Sequence, residues 1–348
     1  MLNFCTLFNK NYFTRGMALY ESLNANTKEF HLYVFAFDDI TFETLTKLQL
    51  PNLTPISLKE FEDEELQKIK PTRTAGEYCW TCTSSTILFS IQKFNLSHCT
   101  YLDADLYFFS DPSVLIEEAK DKSVIITEHR YSPVYDQSKI SGTYCVQFMY
   151  FKNDTNGMKV LQWWRDKCIE WCHSWVEPGK FGDQFYLEDW TTRFEGVHVL
   201  QHLGGGLAPW NVQQYKFKQE NGNLLGTQLK DGKRFEAVFF HFHRFKFFSN
   251  GIVQYTDAAY EIKTDVNKLI FEPYLLTLIK IKKRLNIDTF DIHGTSNDKP
   301  ESPISIAMVL KWYIKDLFQA FKLILGTGVV YKKRHLHSKR IKRNGISY

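Results

Sequence analysis

Two aspartates one residue apart, Asp103 and Asp105, follow the apolar run Cys99–Leu102 within the segment Thr100–Phe109 (TYLDADLYFF). The run predicts a buried strand, and in an open α/β sheet ligands bind beyond the carboxyl ends of the strands. Carboxylates buried at such a point cost free energy unless a partner neutralises them. A hard divalent cation with oxygen ligands is a natural partner, so the pattern predicts a metal site. An isolated Asp-X-Asp is common by chance, whereas one that ends an apolar strand is much more specific.

Two other patterns are weaker candidates for sites. Cys79 and Cys82 have redox spacing, and Cys168 with Cys172 could be imagined to complete a zinc site. Zinc modules usually pair two tight cysteine turns in a small domain, whereas Cys168 and Cys172 lie four residues apart on a predicted helix of a large one. Buried free thiols are therefore favoured over zinc. The glycine run at 204–206 lacks the lysine and the spacing of a phosphate-binding loop.

The elements around the aspartates alternate between strand-like and helix-like patterns. Apolar runs at 2–8 and 31–37 flank a helical pattern at 12–24, which is a β-α-β opening. Further helical patterns lie at 41–48, 58–69, 83–94, 157–172 and 183–190, and further strand-like runs lie at 53–56, 99–102, 123–127, 145–151, 197–200 and 238–242. This alternation predicts an α/β fold with a mainly parallel central sheet and helices on both faces.

Composition excludes several classes of protein. The chain has 348 residues, of which 44% are hydrophobic, 24% charged and 16% aromatic, so it is neither disordered, collagen-like nor a coiled coil. Seven cysteines, an odd number in a long chain, favour reduced thiols. The N-terminus lacks a signal-peptide pattern and no run of about 18 apolar residues occurs, so a cytoplasmic location is expected.

The positive charge is concentrated at the C-terminus. Residues 326–348 carry seven basic and no acidic residues, although the net charge of the whole chain is only +4. The polar stretch 293–303 predicts a linker, and 304–325 reads as an amphipathic helix with lysines opposite its apolar face. Residues 304–348 are therefore expected to contact an anionic membrane surface, and a nucleic-acid partner is not expected. The alternative is a helix packed on the protein's own core with a solvated tail.

Six segments follow one another in the order found in GT-A glycosyltransferases. They are FNKNYFTRGMALYESL, RTAGEYCWTCTSS, YLDADLYFFSDP, FGDQFYLEDW, LGGGLAPWN and VFFHFHRF. The chain resembles glycosyltransferase family 8, a retaining family, and related bacterial surface-glycan transferases over about residues 1–245. The resemblance implies a GT-A domain over 1–292, with a donor half at about 1–110 and an acceptor half at about 111–292.

The resemblance also implies a cofactor. Asp103 and Asp105 would hold Mn²⁺ or Mg²⁺ on the diphosphate of a nucleotide sugar, and His241 would be the third protein ligand. The metal would stabilise the charge on the departing nucleoside diphosphate. His243 would meet a phosphate. Without the aspartates, a histidine in an aromatic strand is more simply a hydrogen-bonded core residue.

Other roles are carried over by position. Asp183 and Gln184 match the pair that such enzymes place beside the anomeric carbon, although Asp183 could instead cap the helix that follows it. Trp210 and Asn211 would line the acceptor site, and Cys145 departs from the asparagine common at that place. The residues expected at the donor are Thr6, Tyr12, Arg73, Glu77, Trp80, Thr83, Asp103, Ala104 and His243.

The sequence therefore predicts a metal-dependent hexosyltransferase. It would move a sugar from a nucleotide sugar, with UDP expected, to a glycan or glycolipid acceptor in lipopolysaccharide or surface polysaccharide synthesis. It would work at the inner face of the plasma membrane. Two alternatives are a catalytically silent GT-A protein that binds nucleotide sugar or glycan, and a nucleotidyltransferase. The latter would usually carry a glycine-rich, lysine-bearing loop after the first strand, which LFNKNYFTRG does not provide.

Overall fold

A computed structural model describes residues 1–249, 252–293 and 338–340. The strands are β1 (Leu2–Phe8), β2 (Phe30–Ala36), β3 (Leu53–Ser57), β4 (His98–Leu102), β5 (Leu106–Phe108), β6 (Val124–Glu128), β7 (Tyr144–Lys152), β8 (Val197–Val199), β9 (Tyr215–Glu220), β10 (Asn223–Gln228), β11 (Arg234–Glu236), β12 (Phe239–His241), β13 (Lys246–Phe247), β14 (Ile252–Gln254) and β15 (Ser338–Arg340). The helices are α1 (Phe13–Asn26), α2 (Asp39–Leu48), α3 (Leu58–Phe61), α4 (Glu64–Ile69), α5 (Ala75–Lys93), α6 (Ser113–Glu117), α7 (Ser138–Ser141), α8 (Thr155–Glu170), α9 (Trp190–Arg193), α10 (Thr264–Val266) and α11 (Glu272–Leu285).

A seven-stranded sheet in the order β3-β2-β1-β4-β7-β6-β8 forms the centre of the fold. Its neighbouring strands run parallel except at β7, which is antiparallel to both β4 and β6. The predicted α/β class with a mainly parallel sheet is confirmed. Because β7 is antiparallel to β4 and longer than it, β7 extends beyond the carboxyl end of β4, and its carbonyl groups lie beside Asp103, the residue that follows β4.

Buried side chains cover both faces of this sheet. Along β1, Phe4 and Phe8 belong to one apolar cluster, whereas Cys5 and Leu7 belong to another. Helices α1 and α11 contribute to the first cluster, and α5 and α8 contribute to the second. Strands buried on both faces read as continuous apolar runs, which is why β1 and β2 are so apolar.

Three predicted helices differ from the structure. The pattern at 183–190 is a 3-10 helix over Phe185–Asp189, and α9 begins at Trp190. The pattern at 58–69 is two helices, because the Asp63 side chain accepts a hydrogen bond from Leu66 N (3.0 Å) and starts α4 after α3 has ended. The helix expected at 83–94 begins at Ala75, so RTAGEYCWTCTSS forms its first half and does not precede it. The early start comes from a capping box, in which Thr74 and Glu77 bond to each other's backbone N–H.

The C-terminal predictions fall mostly outside the described residues. These are the linker beyond His293, the amphipathic helix at 304–325 and the rest of the basic tail apart from β15. Strand β15 pairs antiparallel with β14. Within the described ranges, no helix is both long enough and apolar enough to cross a membrane.

Glu77 also joins the start of α5 to the segment that follows α8. One of its carboxylate oxygens accepts from Thr74 N (2.8 Å), and the other accepts from Ser174 N (2.8 Å) and Ser174 Oγ (3.1 Å). Burial alone raises the pKa of this carboxyl group, but the bonds from Thr74 and Ser174 outweigh it and lower the pKa to about 2.

We expect Glu77→Gln to lower the free energy of unfolding by about 1–2 kcal/mol at pH 7, because one amide oxygen cannot replace two carboxylate oxygens. A lowered native pKa contributes stability above the unfolded value of 4.5, which is lost as the pH falls toward 2. The difference between variant and wild type should therefore shrink below pH 4.5 in urea unfolding curves. The matched control is Glu64→Gln, at an exposed first-turn glutamate of α4. An equal loss in both variants would contradict this account of Glu77.

Candidate functional site

The turn after β4 brings the two aspartates together with a histidine from much later in the chain. Leu106 N donates to Asp103 O (3.1 Å), which closes the turn between β4 and β5. Strand β5 then pairs antiparallel with β12, so that His241 lies opposite Leu106. Phe242 N also donates to Asp105 O (2.9 Å). Strand pairing, and not proximity in sequence, therefore places the imidazole beside the carboxylates.

The three side chains form a compact cluster. His241 Nε2 lies 3.1 Å from Asp105 Oδ1 and 3.7 Å from Asp103 Oδ2. One ligand atom from each residue lies within 4.8 Å of the others, and this is the metal-competent group found among the described residues. The side chain of Asp103 is 25% exposed and that of Asp105 is 10% exposed, so Asp103 is the more open of the two carboxylates.

The charges in this cluster are strongly coupled. Burial and the neighbouring Asp105 raise the pKa of Asp103 to about 7, although His241 opposes the shift. Burial also acts on Asp105, but His241 outweighs it and lowers the pKa of Asp105 to about 2. Against the effect of burial, the two carboxylates raise the pKa of His241. When both carboxylates are ionised, their negative charge is greater than the positive charge that one imidazolium can supply.

The donor set fits the predicted cation. Carboxylate oxygens suit Mg²⁺ and Mn²⁺, and a single imidazole nitrogen is compatible with Mn²⁺. A divalent cation among these three groups would supply the missing positive charge. Tyr101 Oη donates to Asp103 Oδ1 (3.0 Å), which leaves Oδ2 on the side of His241.

Asp183 lies on a second segment near the cluster. Gly182, at φ +55°, gives this segment a left-handed turn, and a side chain there would meet the Trp80 ring. Trp164 Nε1 donates to Asp183 O (2.9 Å), which fixes the backbone. Burial and the charge of Asp103 raise the pKa of Asp183 to about 8, opposed by a side-chain hydrogen bond with Thr83. Thr83, Trp80 and Asp183 therefore lie together, while their predicted roles toward a donor and its sugar stay predictions.

The interpretation of Asp183 as a helix cap is wrong. The 3-10 helix that follows spans Phe185–Asp189, and its N-cap is Gln184, without a side-chain capping bond. The Gln184 amide instead donates to Ser141 O (2.5 Å) at the end of α7. Asp183 is thus buried without the helical role that would explain it.

The remaining expected donor residues fall into two groups. Tyr12 is exposed and lies beside Arg15, whose guanidinium is 4.4 Å from the centre of its ring, within electrostatic range of Asp105 and Asp103. Ala104 lies within the turn, and Thr6 is fully buried in β1. Arg73 and Glu77 hold the end of α8 and the segment after it, since Arg73 donates to Ile169 O (3.1 Å) in α8 and contacts His173 Nε2 (3.1 Å) beyond it. Their roles toward a donor stay predictions.

Trp210 packs beneath the two histidines of the site. Its ring centroid lies 5.4 Å from that of His241 and 5.5 Å from that of His243. Only 4% of Trp210 is exposed, and its Nε1 donates to His129 O (2.9 Å). The Asn211 amide bonds to backbone groups of Ala208, Gly206 and His129. Both residues hold the loop in place, and their predicted contact with an acceptor stays a prediction.

Sequence reasoning missed a buried ion pair next to the site. Arg15 Nη1 lies 3.0 Å from Asp291 Oδ1, and both side chains are essentially unexposed. Asp291 Oδ2 also accepts from Thr14 N (2.9 Å), and the Arg15 guanidinium lies 4.4 Å from the centre of the Tyr12 ring. The charge of Arg15 contributes to the lowered pKa of Asp105. No local pattern could have paired residues 276 positions apart.

All seven cysteines are free thiols, and six are buried, including Cys168 and Cys172. Among the described residues, no cysteine belongs to the group that could hold a metal ion. The reduced state of the thiols stays a prediction. Cys145 packs against Ala208 and Trp210 and is thus part of the wall behind the histidines.

The fold and the site define an α/β protein with a candidate metal centre at the carboxyl end of β4. The chain belongs to the same family as the Bacillus subtilis (strain 168) proteins YfnD and YfnF, both described as uncharacterized. It is 31% identical to YfnD over an alignment of 287 positions, and the match covers 79% of this chain and 88% of YfnD. It is 31% identical to YfnF over an alignment of 285 positions, and the match covers 79% of this chain and 91% of YfnF. No protein-family model matches the chain.

Among solved structures, the chain is similar to mouse xyloside xylosyltransferase 1 in its apo form. The identity is 14%, the TM-score is 0.38, and the match covers 60% of this chain and 87% of that one. It is also similar to the galactosyltransferase LgtC in complex with donor and acceptor sugar analogues, with 12% identity, a TM-score of 0.38 and coverage of 60% and 76%. Scores and identities this low do not establish an activity for the chain.

We expect Asp183→Asn to stabilise the metal-free protein at alkaline pH. Because the native pKa is raised above the unfolded value of 3.8, ionisation costs stability as the pH rises, and the cost is complete above about pH 8. The variant should gain about 1–3 kcal/mol in free energy of unfolding at pH 8 and nothing near pH 4, measured by urea unfolding in EDTA. Asp121→Asn, at an exposed aspartate, is the control. Parallel stabilities of wild type and Asp183→Asn across this pH range would contradict the prediction.

Proposed function

We propose that the protein is a metal-dependent glycosyltransferase that moves a sugar from a nucleotide sugar to a glycan or glycolipid acceptor. One observation carries the proposal: two buried carboxylates and an imidazole share a metal-sized cluster, and a third buried carboxyl group, Asp183, lies within electrostatic reach of it. A metal-binding protein without group-transfer chemistry has no need for Asp183, whose burial costs free energy.

Asp103, Asp105 and His241 would hold the cation, which when bound would stabilise negative charge on the diphosphate of the leaving nucleotide. Asp103 is the more exposed carboxylate and would therefore be the more accessible of the two to a diphosphate. His243 lies next to His241, with ring centroids 5.7 Å apart. Burial lowers the pKa of His243 to about 3, so its imidazole is neutral and would donate a hydrogen bond to a phosphate without adding charge.

Asp183 would act on the sugar. Positive charge at the neighbouring metal site would offset the repulsion from Asp103 and favour the ionised carboxylate. An ionised Asp183 can stabilise the positive charge that develops at the anomeric carbon of an oxocarbenium-like transition state. The segment that holds it is kept in place by Gln184, through Ser141 O, and by Trp164, so the carboxylate needs little rearrangement.

The finer details of the proposal rest on the sequence resemblance. They are a UDP-linked hexose as donor, retention of anomeric configuration, Mn²⁺ or Mg²⁺ as the cofactor, and an acceptor in lipopolysaccharide or surface polysaccharide synthesis. Residues 304–348 would hold the enzyme at the anionic inner face of the plasma membrane, since apolar burial and attraction to anionic lipid add.

The metal site is tested by titration calorimetry of Mn²⁺ in the presence of UDP. We expect Asp105→Asn to weaken Mn²⁺ binding by about 100-fold or more, because an amide supplies neither the charge nor the ligand strength of a carboxylate. Asp111→Asn, in the same sequence segment but outside the cluster, should bind like the wild type. Equal affinity of wild type and Asp105→Asn would remove the assignment.

The reaction is tested by UDP or GDP release from a panel of donors with Mn²⁺. The panel is UDP-glucose, UDP-galactose, UDP-N-acetylglucosamine, UDP-N-acetylgalactosamine, UDP-glucuronate and GDP-mannose, with and without membrane glycolipid extract. Release from one donor is expected, and Asp183→Asn should lower kcat by about 100-fold or more while UDP affinity stays unchanged. Asp189→Asn, in the same segment, is the control. Binding of UDP without release under any condition would favour the silent, sugar-binding alternative.

A further inference from the structure

Gln147 reaches the candidate metal site in two ways. It lies in β7, the antiparallel strand next to β4, and it is completely buried. Its backbone oxygen accepts from Asp103 N (3.0 Å). Its side-chain Oε1 lies 3.0 Å from His241 Nδ1. One residue therefore contacts both an aspartate and the histidine of the cluster.

The side-chain contact determines which imidazole nitrogen carries the proton. With the amide placed so that Oε1 faces the ring, Oε1 can only accept, and the Nδ1 that faces it is the protonated nitrogen. Nε2 of a neutral His241 then keeps its lone pair, and this is the atom that faces Asp105 and Asp103. The opposite tautomer would place a proton on Nε2, where a cation would have to bind.

The surroundings of the Gln147 side chain indicate that a glutamine at this position does not stabilise the fold. Its Nε2 is buried without a hydrogen-bond partner among the described residues. A buried donor left unpaired costs about 1–3 kcal/mol. Gly206, at φ +91°, makes room for the amide, since a side chain there would lie 3.2 Å from Gln147 Nε2. The fold thus accommodates a half-satisfied amide whose one side-chain bond goes to His241.

We propose that Gln147 is a positioning residue that fixes the Nδ1–H tautomer and the ring orientation of His241, so that Nε2 is presented to the cation. The inference rests on the proposed function, because it assumes that the Asp103, Asp105 and His241 cluster binds a metal. Groups that orient a metal-bound histidine through its second nitrogen typically change metal affinity 10–100-fold when removed.

The experiment compares Gln147→Leu and Gln147→Glu with the wild type in the full-length protein. Mn²⁺ affinity is measured by calorimetry with UDP, and coordination by a histidine nitrogen is detected by pulsed electron paramagnetic resonance of bound Mn²⁺, with His241→Ala as the reference for its loss. Gln147→Leu removes the acceptor, so Mn²⁺ should bind about 10–100-fold more weakly and the histidine-nitrogen coupling should fall or vanish. Gln147→Glu keeps an oxygen that accepts from Nδ1–H and should restore both. Gln228→Leu, at a buried glutamine in β10, is the matched control.

The outcomes separate the two proposals. Wild-type affinity and unchanged nitrogen coupling in Gln147→Leu would overturn the role of Gln147 alone. Weaker binding that Gln147→Glu does not restore would also overturn it, because the loss would then come from packing. If circular dichroism shows that Gln147→Leu is unfolded, a folded Gln147→Glu without nitrogen coupling overturns the inference. A wild type that binds no Mn²⁺ would overturn both this inference and the metal site on which it rests.

Discussion

The removal of two carboxylates and an imidazole from water at the end of β4 is the constraint on which the rest of the structure depends. Asp103, Asp105 and His241 lie within hydrogen-bonding or ion-pair distance of one another, and their negative charge exceeds what one imidazole can balance. Burial of unbalanced charge is expensive, so the neighbouring elements must supply hydrogen bonds and fixed positive charge. A strand end that faced water would need none of this support.

The support comes from opposite ends of the chain. Arg15, on the first helix, lies near Asp105 and is itself held by Asp291, the last buried acidic residue of the described segment 252–293. Phe242, which follows His241, stacks on Tyr274 of α11 with ring centroids 3.6 Å apart. This packing accounts for part of the high aromatic content of the chain. The rings fill the space next to His241 and His243 on the side of the protein core.

Asp183 is a buried carboxyl group for which no neighbouring positive charge among the described residues offsets the cost of burial, in contrast to Asp105. Burial and the charge of Asp103 raise the pKa of Asp183 to about 8, so ionising this carboxyl group in the metal-free site costs free energy. The surrounding contacts, from Trp164 to its backbone and from Thr83 to its side chain, hold the residue in place despite that cost. Groups kept in unfavourable environments by a rigid scaffold are typical of sites that use charge in chemistry.

Local pattern in the sequence determined the strands of the central sheet, the long helices up to α8, the α/β class and the position of Asp103 and Asp105, because apolar periodicity and strand ends are short-range features. It also pointed to Asp183 and His241, although only through segments that resemble a known family. It did not predict the short strands β9–β11 or the helix α11, which pack on that sheet only in the folded chain. Tertiary structure decided which of these groups meet. The pairing of β5 with β12 brings His241 to Asp105, the antiparallel β7 brings Gln147 to both, and Asp291 closes on Arg15 from the far end of the domain. The early start of α5 and the break at Asp63 are instead set by local side-chain caps, the capping box of Thr74 and Glu77 and the bond from Leu66 N to Asp63. Such contacts join residues far apart in the chain or depend on one side chain, and periodicity contains no information about either.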